Sequence, residues 1–257
     1  MRVMSCNIRY YGAADGDNRW ERRRDLCLGV IRGYEPDVVC CQEVWYQQLE
    51  DLRRGLPEFE AYAVPDEPVG GQPVNAMLYR SARLCATAAA TYWLSSRPHV
   101  PGSKSWDSAC VRLAAWVRLK DIQTGAEMRV VNTHLDHVSQ PAREAQARLL
   151  GEDAAAYPDA FPQLLAGDMN GDSRNPAIGA FRQAGWVDTH AQIHGPRDPG
   201  FTYHGFSGPH HSDELGKIDW IFARGAVRVT AAEIVTAHRD GRYPSDHYFL
   251  SVDVAVG

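Results

Sequence analysis

The stretch LLAGDMNGD, Leu164 to Asp172, ends an apolar run in a carboxylate and a carboxamide two residues apart, set between glycines. A buried strand commonly gives way to a turn, and Asp, Asn and Gly are the usual turn residues. Alternate residues of a strand also share a face, so Asp168 and Asn170 could present oxygens and an amide to one ligand. Taken alone, the stretch leaves both readings open, and the rest of the chain has to decide between them.

The chain has 257 residues, 44% of them hydrophobic and 23% charged. That is ordinary globular composition, with ample length for a large core. No linker, repeat or low-complexity tract interrupts it, so one domain over 1–257 is expected. The formal net charge is −5, so no overall basic field attracts nucleic acid. An acidic chain can still take a phosphate substrate, because a bound cation inverts the local potential. No apolar run has the length of a membrane span, and the opening MRVMSCNIRY reads as a strand rather than a leader. Cys6, Cys27, Cys40, Cys41, Cys85 and Cys110 lack metal-ligand spacing. Most lie in apolar runs, which fits reduced thiols and a cytoplasmic protein.

Hydrophobic periodicity predicts helices over 20–34, 46–55, 139–156 and 176–184. Asn18 and Glu21 read as the capping pair of the first, Glu35-Pro36 as its stop, and Pro141 as a first-turn proline of the third. Strands are expected over 2–8, 37–43, 59–64, 74–80, 83–94, 109–120, 127–135, 163–166, 217–223, 226–236 and 246–254. Helices thus come singly between runs of strands, a pattern of sheets sandwiched between helix layers.

Polar residues recur where these runs end: Asn7 in CNIR, Glu43 after VVCCQ, His134 in NTH, Asp168 and Asn170 in GDMN, Asp219 in KIDW, and Asp246 and His247 in SDH. Each has an ordinary reading of its own, as a turn cap, a solvated strand end or a hydrogen-bonded histidine. Asp219 is the hardest to dismiss, because an unpaired carboxylate inside an apolar strand is costly. Their joint occurrence in this order resembles the endonuclease/exonuclease/phosphatase superfamily, which includes pancreatic-type DNases, abasic-site endonucleases, deadenylases, sphingomyelinases and inositol-polyphosphate 5-phosphatases. The likeness runs from residue 5 to residue 247, and it favours a site at Asp168 and Asn170 over a plain turn.

The resemblance implies a four-layer α/β sandwich of the DNase I-like kind, two packed mixed β-sheets flanked by helices, with the site at one end. It also implies roles. Glu43 would hold a divalent cation, Mg²⁺ or Mn²⁺, with Asn7 and Asp246 completing the environment directly or through water. Asp168 would orient or deprotonate the attacking water, and Asn170 would hold a phosphate oxygen. His247, oriented by Asp219, would contact the phosphate, and His134 would donate to it or assist the leaving group. Arg112 in CVRLAAWV is a further candidate for the phosphate. This set suits phosphoryl transfer, which needs an in-line nucleophile and neutralised phosphate oxygens. The sequence has no convincing Ser or Cys nucleophile, so direct attack by water is expected, with the metal as Lewis acid.

Two departures from the nucleases narrow the reading. VWYQQ after the QE motif lacks the basic residue common in DNA-cutting relatives, and no Lys/Arg cluster offers a track for a phosphate backbone. The glutamate that supports the first histidine in nucleases is replaced by Gln72-Pro73, which leaves the orientation of His134 open. YWLS, GSKSWDSACVR, HLDH and FTYHGF resemble bacterial members described only as metal-dependent hydrolases. Of the rim aromatics, most are expected to pack, and FTYHGF is the segment expected to touch substrate. The expectation is a metal-dependent phosphoesterase for a small organic phosphate, with diester ahead of monoester. A nuclease and a dead scaffold on the same fold are the alternatives, and oligomeric state is left open.

Overall fold

The computed structural model describes residues 1–212 and 215–256. It contains twelve strands: β1 (Arg2–Asn7), β2 (Val38–Gln42), β3 (Phe59–Tyr62), β4 (Met77–Arg80), β5 (Leu84–Trp93), β6 (Leu113–Asp121), β7 (Glu127–His134), β8 (Gln163–Asp168), β9 (Val187–Asp188), β10 (Asp219–Arg224), β11 (Val227–Val235) and β12 (Phe249–Val256). Its α-helices are α1 (Trp20–Tyr34), α2 (Tyr46–Gly55), α3 (Gln140–Ala155), α4 (Pro176–Gln183) and α5 (Thr189–His194).

The strands form two six-stranded sheets, in the orders β11-β12-β1-β2-β4-β3 and β5-β6-β7-β8-β10-β9. Each is mixed: β1 runs parallel to β2 and β7 parallel to β8, while the other pairs are antiparallel. Side chains alternate as a period of two requires. On β1, Val3 points between the sheets, whereas Met4 and Cys6 turn outward to Cys27 and Ile31 of α1 and Leu52 of α2. On β8, Leu164 and Ala166 point inward and Leu165 faces the layer of α3 and α4. The result is helix, sheet, sheet, helix, the expected four-layer sandwich.

Helix boundaries follow their local signals. α1 ends where Glu35 takes a left-handed conformation (φ 49°) before Pro36. Ser139 Oγ accepts the Ala142 amide to open α3, with proline in its first turn. One expected cap is corrected: Asn18 closes a short 3-10 turn over Gly16–Asn18, and Arg19 precedes α1 without a side-chain cap. Residues 109–112 are also loop rather than strand, so Arg112 lies just before β6. β9 and α5 are too short to show as periodicity. All six cysteines are free, four of them buried. No described helix is long and apolar enough to cross a membrane.

Gly167 lies inside β8 at φ 153°, not in the turn beyond it, and a Cβ there would sit 1.9 Å from the Thr133 carbonyl oxygen. Only glycine lets β8 approach β7 this closely, which sets the separation of His134 and Asp168 one residue further on. Gly167→Ala should therefore cost on the order of 3 kcal/mol or abolish folding. Urea unfolding of the variant measures this, and a loss below about 0.5 kcal/mol would contradict the geometry.

Candidate active site

Strand register assembles the site. In the second sheet His134 pairs with Asp168, and Asp168 with Asp219, so three inward side chains stand in a row across β7, β8 and β10. In the first sheet Asn7 pairs with Gln42 at the ends of β1 and β2. The inner face is apolar along its length and turns polar at this one end. There the strands open into a cleft of about 620 Å³.

Asn7 links the two sheets across it. Its amide nitrogen donates to Glu43 Oε1 and to Asp168 Oδ2, both at 3.1 Å, while its Oδ1 accepts the Arg9 amide at 3.0 Å. The bond from Arg9 settles which end of the amide is which. Asn7 therefore clamps two carboxylates with its nitrogen, while its oxygen faces the Arg9 amide. Glu43 is only partly buried, and its Oε2 accepts the Tyr10 amide.

Asp219 is 1% exposed and accepts from His247 Nδ1 at 2.9 Å; its other oxygen has no hydrogen-bond partner among the described residues. Burial alone would lower the His247 pKa, but Asp219, Asp246 and Asp168 together raise it well above the ordinary value. These carboxylates favour the imidazolium form of His247, whose Nε2 lies 3.8 Å from Asp168 Oδ2 and 3.4 Å from Asn7 Nδ2. Asp168, 2% exposed, is pushed up to about 7 by burial and by the carboxylates of Asp219 and Glu43, against the pull of His247. His134 is the opposite case: burial, then Arg112 and His247, lower its pKa far enough to keep it neutral.

The orientation of His134, open without the nuclease-type glutamate, is set by Asn170. The Asn170 amide donates to His134 Nε2 and to the Leu135 carbonyl, both at 2.9 Å. His134 Nε2 is thus an acceptor, and the ring proton lies on Nδ1. Asn170 does not continue the strand. It turns left-handed (φ 46°), and its own amide bonds Asp168 Oδ1. A turn, not strand alternation, brings these two residues together, and in it the Asn170 amide serves His134 rather than projecting freely to hold a phosphate oxygen.

Asp246 is 3% exposed, bonded by Ser245 Oγ at 3.1 Å and 3.5 Å from Arg9 Nε. Arg112 lines the cleft with Nη2 3.2 Å from His137 Nδ1, while its buried Nε has no partner among the described residues. Within FTYHGF, Tyr203 reaches the cleft, its ring edge-on to His247 at a centroid distance of 5.1 Å. Tyr10 and Trp45 also line it, whereas Trp93 packs between the sheets.

Sequence reasoning missed the residues that hold the loops. Arg23, 3% exposed, donates to the carbonyls of Ile8, Arg9, Asn18 and Pro244, tying the turn after Asn7 to the loop carrying Asp246. Asp136, fully buried, takes bonds from Ser108, Ala109, Cys110, Val138 and Ser139 and so fixes the wall bearing Arg112. The sequence signal for Arg23 was its place on the apolar stripe of α1, between Trp20 and Cys27. Asn75, which also lines the cleft, carried no signal.

A two-sheet sandwich whose carboxylates and histidines converge at one strand end is the arrangement of the phosphoesterase and nuclease superfamily. The chain belongs to the endonuclease/exonuclease/phosphatase family, whose family model matches residues 4–247. Members of this family are hydrolases of phosphate esters and usually use divalent metal ions. A family protein from Bacteroides vulgatus shares 30% identity and superposes with a TM-score of 0.89, covering 100% of this chain and 98% of that one. A protein of Enterococcus faecalis V583 is 28% identical at a TM-score of 0.90, covering 100% of both chains. The mannosyl-6-phosphatase of Bacteroides thetaiotaomicron VPI-5482 is 26% identical at 0.87, covering 99% of each.

Asp219→Asn removes the charge that keeps His247 protonated, so burial should then dominate and lower the His247 pKa. Imidazole nitrogen NMR across a pH series reads the shift directly. An unchanged midpoint would mean that Asp219 does not govern the ring.

Proposed function

We propose that the protein is a divalent-metal-dependent phosphoesterase that hydrolyses a small organic phosphate by direct attack of water. The observation that carries this reading is the buried Asp168 carboxylate, clamped by Asn7 and flanked by the His247 imidazolium and neutral His134. The monoester is preferred over the diester expected from the sequence, and the resemblance to a mannosyl-6-phosphatase over full length supports that choice. The net charge of −5 and the lack of a basic track speak against a nucleic-acid substrate.

Glu43, Asp168 and Asp246 line the cleft, with Asp219 buried behind His247, and carboxylate oxygens are hard donors suited to Mg²⁺ or Mn²⁺. The Asp168 pKa is raised first by burial and then by the neighbouring carboxylates of Asp219 and Glu43. Asp168, Asp219 and His247 also come within 4.8 Å of one another. In that trio, however, Asp219 already engages the ring Nδ1, which makes it a hydrogen-bonded relay rather than a cage. Glu43, partly open to the cleft, is the better ligand, with Asp246 beside it. A cation held there would supply Lewis-acid polarisation of the phosphate oxygens.

The chain's own groups do the rest. Asp168, held by Asn7 and by the Asn170 amide, accepts the proton of the attacking water. His247, kept charged by Asp219, donates to a phosphate oxygen through Nε2 and balances the charge that develops there. His134, with Nε2 fixed by Asn170, borders the same space. Arg112, also on the cleft wall, offers a further cationic contact.

Glu43→Ala should abolish Mg²⁺-stimulated hydrolysis of phenyl phosphate, and Asp168→Asn should lower kcat by about 10²–10⁴ while the melting temperature holds. Near-normal turnover in either variant would overturn the assignment. The pH profile follows from the two shifted groups. Activity should fall on the acid side as Asp168 takes up its proton, at or below about 7 because a bound cation favours the carboxylate. It should fall again in alkali as His247, whose pKa is raised, loses its charge. A rate that climbs steadily below pH 5 would exclude Asp168 as the base.

A further inference from the structure

The outer part of the cleft carries a feature that the phosphate does not explain. Asn75 is 2% exposed and lines the cleft. Its amide nitrogen donates to the Leu113 carbonyl at 2.8 Å, so a flip would set carbonyl against carbonyl. That leaves Oδ1 facing away from Leu113 as a fixed acceptor, buried and without a hydrogen-bond partner among the described residues. A buried acceptor left unpaired costs roughly 1–3 kcal/mol, which a ligand donor would recover.

A phosphate dianion has no proton to offer, so the donor has to belong to the esterified part of the substrate. Arg112, the residue before Leu113, presents the complement: its Nε is buried and also without a partner. An acceptor and a donor on one wall suit hydroxyl groups, which both give and take hydrogen bonds. Also lining the cleft are Tyr10 and Trp45, stacked with centroids 5.6 Å apart and planes 30° from parallel. The Arg9 guanidinium lies over the Tyr10 ring at 5.0 Å, and the aromatic surface that the pair still turns to the cleft suits the polarised C–H face of a saturated ring. Asp66 also lines the cleft and is an acceptor as well, its Oδ1 taking the Gln72 amide.

We propose that Asn75 is a specificity-determining residue that accepts a hydrogen bond from a hydroxyl of the substrate, and that the substrate class is a phosphorylated sugar whose ring lies against Tyr10 and Trp45. This inference rests on the phosphoesterase reading and adds to it the chemistry of the leaving group. A site built to pair a substrate hydroxyl rejects analogues that lack it, because its own polar group is then stranded.

The test is calorimetric and independent of turnover. Asp168→Asn protein is titrated in Mg²⁺ with a hexose 6-phosphate, with its monodeoxy analogues, and with cyclohexylmethyl phosphate, a ring of the same size without hydroxyls. The hexose phosphate should bind at least about tenfold more tightly than the hydroxyl-free ring, and one monodeoxy analogue should lose about fivefold to tenfold. Adding Asn75→Ala should erase that one deoxy penalty and leave the others in place. Equal affinity for the sugar and the hydroxyl-free ring, or no binding of either, overturns the proposal. So does a deoxy penalty that survives in a folded Asn75→Ala protein. Should that variant not fold, the deoxy series on intact Asn75 still decides the matter, since absence of any single-hydroxyl penalty refutes it. Failure of the phosphoesterase reading would show separately, as no turnover of phenyl phosphate by the unaltered protein.

Discussion

The bond from Asn7 Nδ2 on β1 to Asp168 Oδ2 on β8, 3.1 Å long, crosses from one sheet to the other, and the cleft is organised around it. Below it, Gln42 Nε2 reaches Asn132 Oδ1 at 2.7 Å, and the Asn132 amide returns to the carbonyls of Cys41 and Ala76. These side chains occupy inward positions that elsewhere hold Val, Leu and Ala. Placing amides there is costly unless each finds a partner on the opposite sheet. The sheets therefore meet in one register at this end, and that register is what aligns His134, Asp168 and Asp219 opposite Asn7.

Burying carboxylates so close together would be prohibitive without compensation. Asp219 is offset by the His247 imidazolium, Asp246 lies near Arg9, and Asp168 responds by a raised pKa. The backbone adds its own cost at the strand exits. Arg9, Glu43 and Asn170 all take positive φ, a conformation that L-residues adopt rarely. Each turns its side chain to a neighbouring segment: Glu43 to Asn7 and Tyr10, Asn170 to His134 and Leu135, and Arg9 to Asp246. Buried Arg23 and Asp136 hold these exits by gathering backbone carbonyls and amides, which transfers stability from the core to the loops.

Much of this was legible beforehand where the signal is local. α1 and α2 begin and end where periodicity and the Glu35-Pro36 pair put them, and the Ser139 cap of α3 is in place. The polar residues at strand ends stood out because each interrupts an apolar run. Less visible were contacts between distant segments. Nothing near Asn75 in sequence announces that Leu113 will fix its amide, and the helix stripe of α1 hides Arg23 among apolar neighbours. The sequence left strand alternation and a turn both open for Asp168 and Asn170, and it is a left-handed turn at Asn170 that brings them together.

By itself the sequence determined which residues are available and which strands carry them, because hydrophobic period and chain order are properties of the linear text. It also pointed to hard oxygen and imidazole donors as the candidate functional groups. Only the tertiary structure decided the protonation states of Asp168, His134 and His247, since these depend on burial and on charges contributed by four different strands and loops. It decided equally that Asn7 turns its nitrogen to the carboxylates and that Asn75 keeps an open acceptor. Both follow from hydrogen bonds whose partners come together only when the sheets pack.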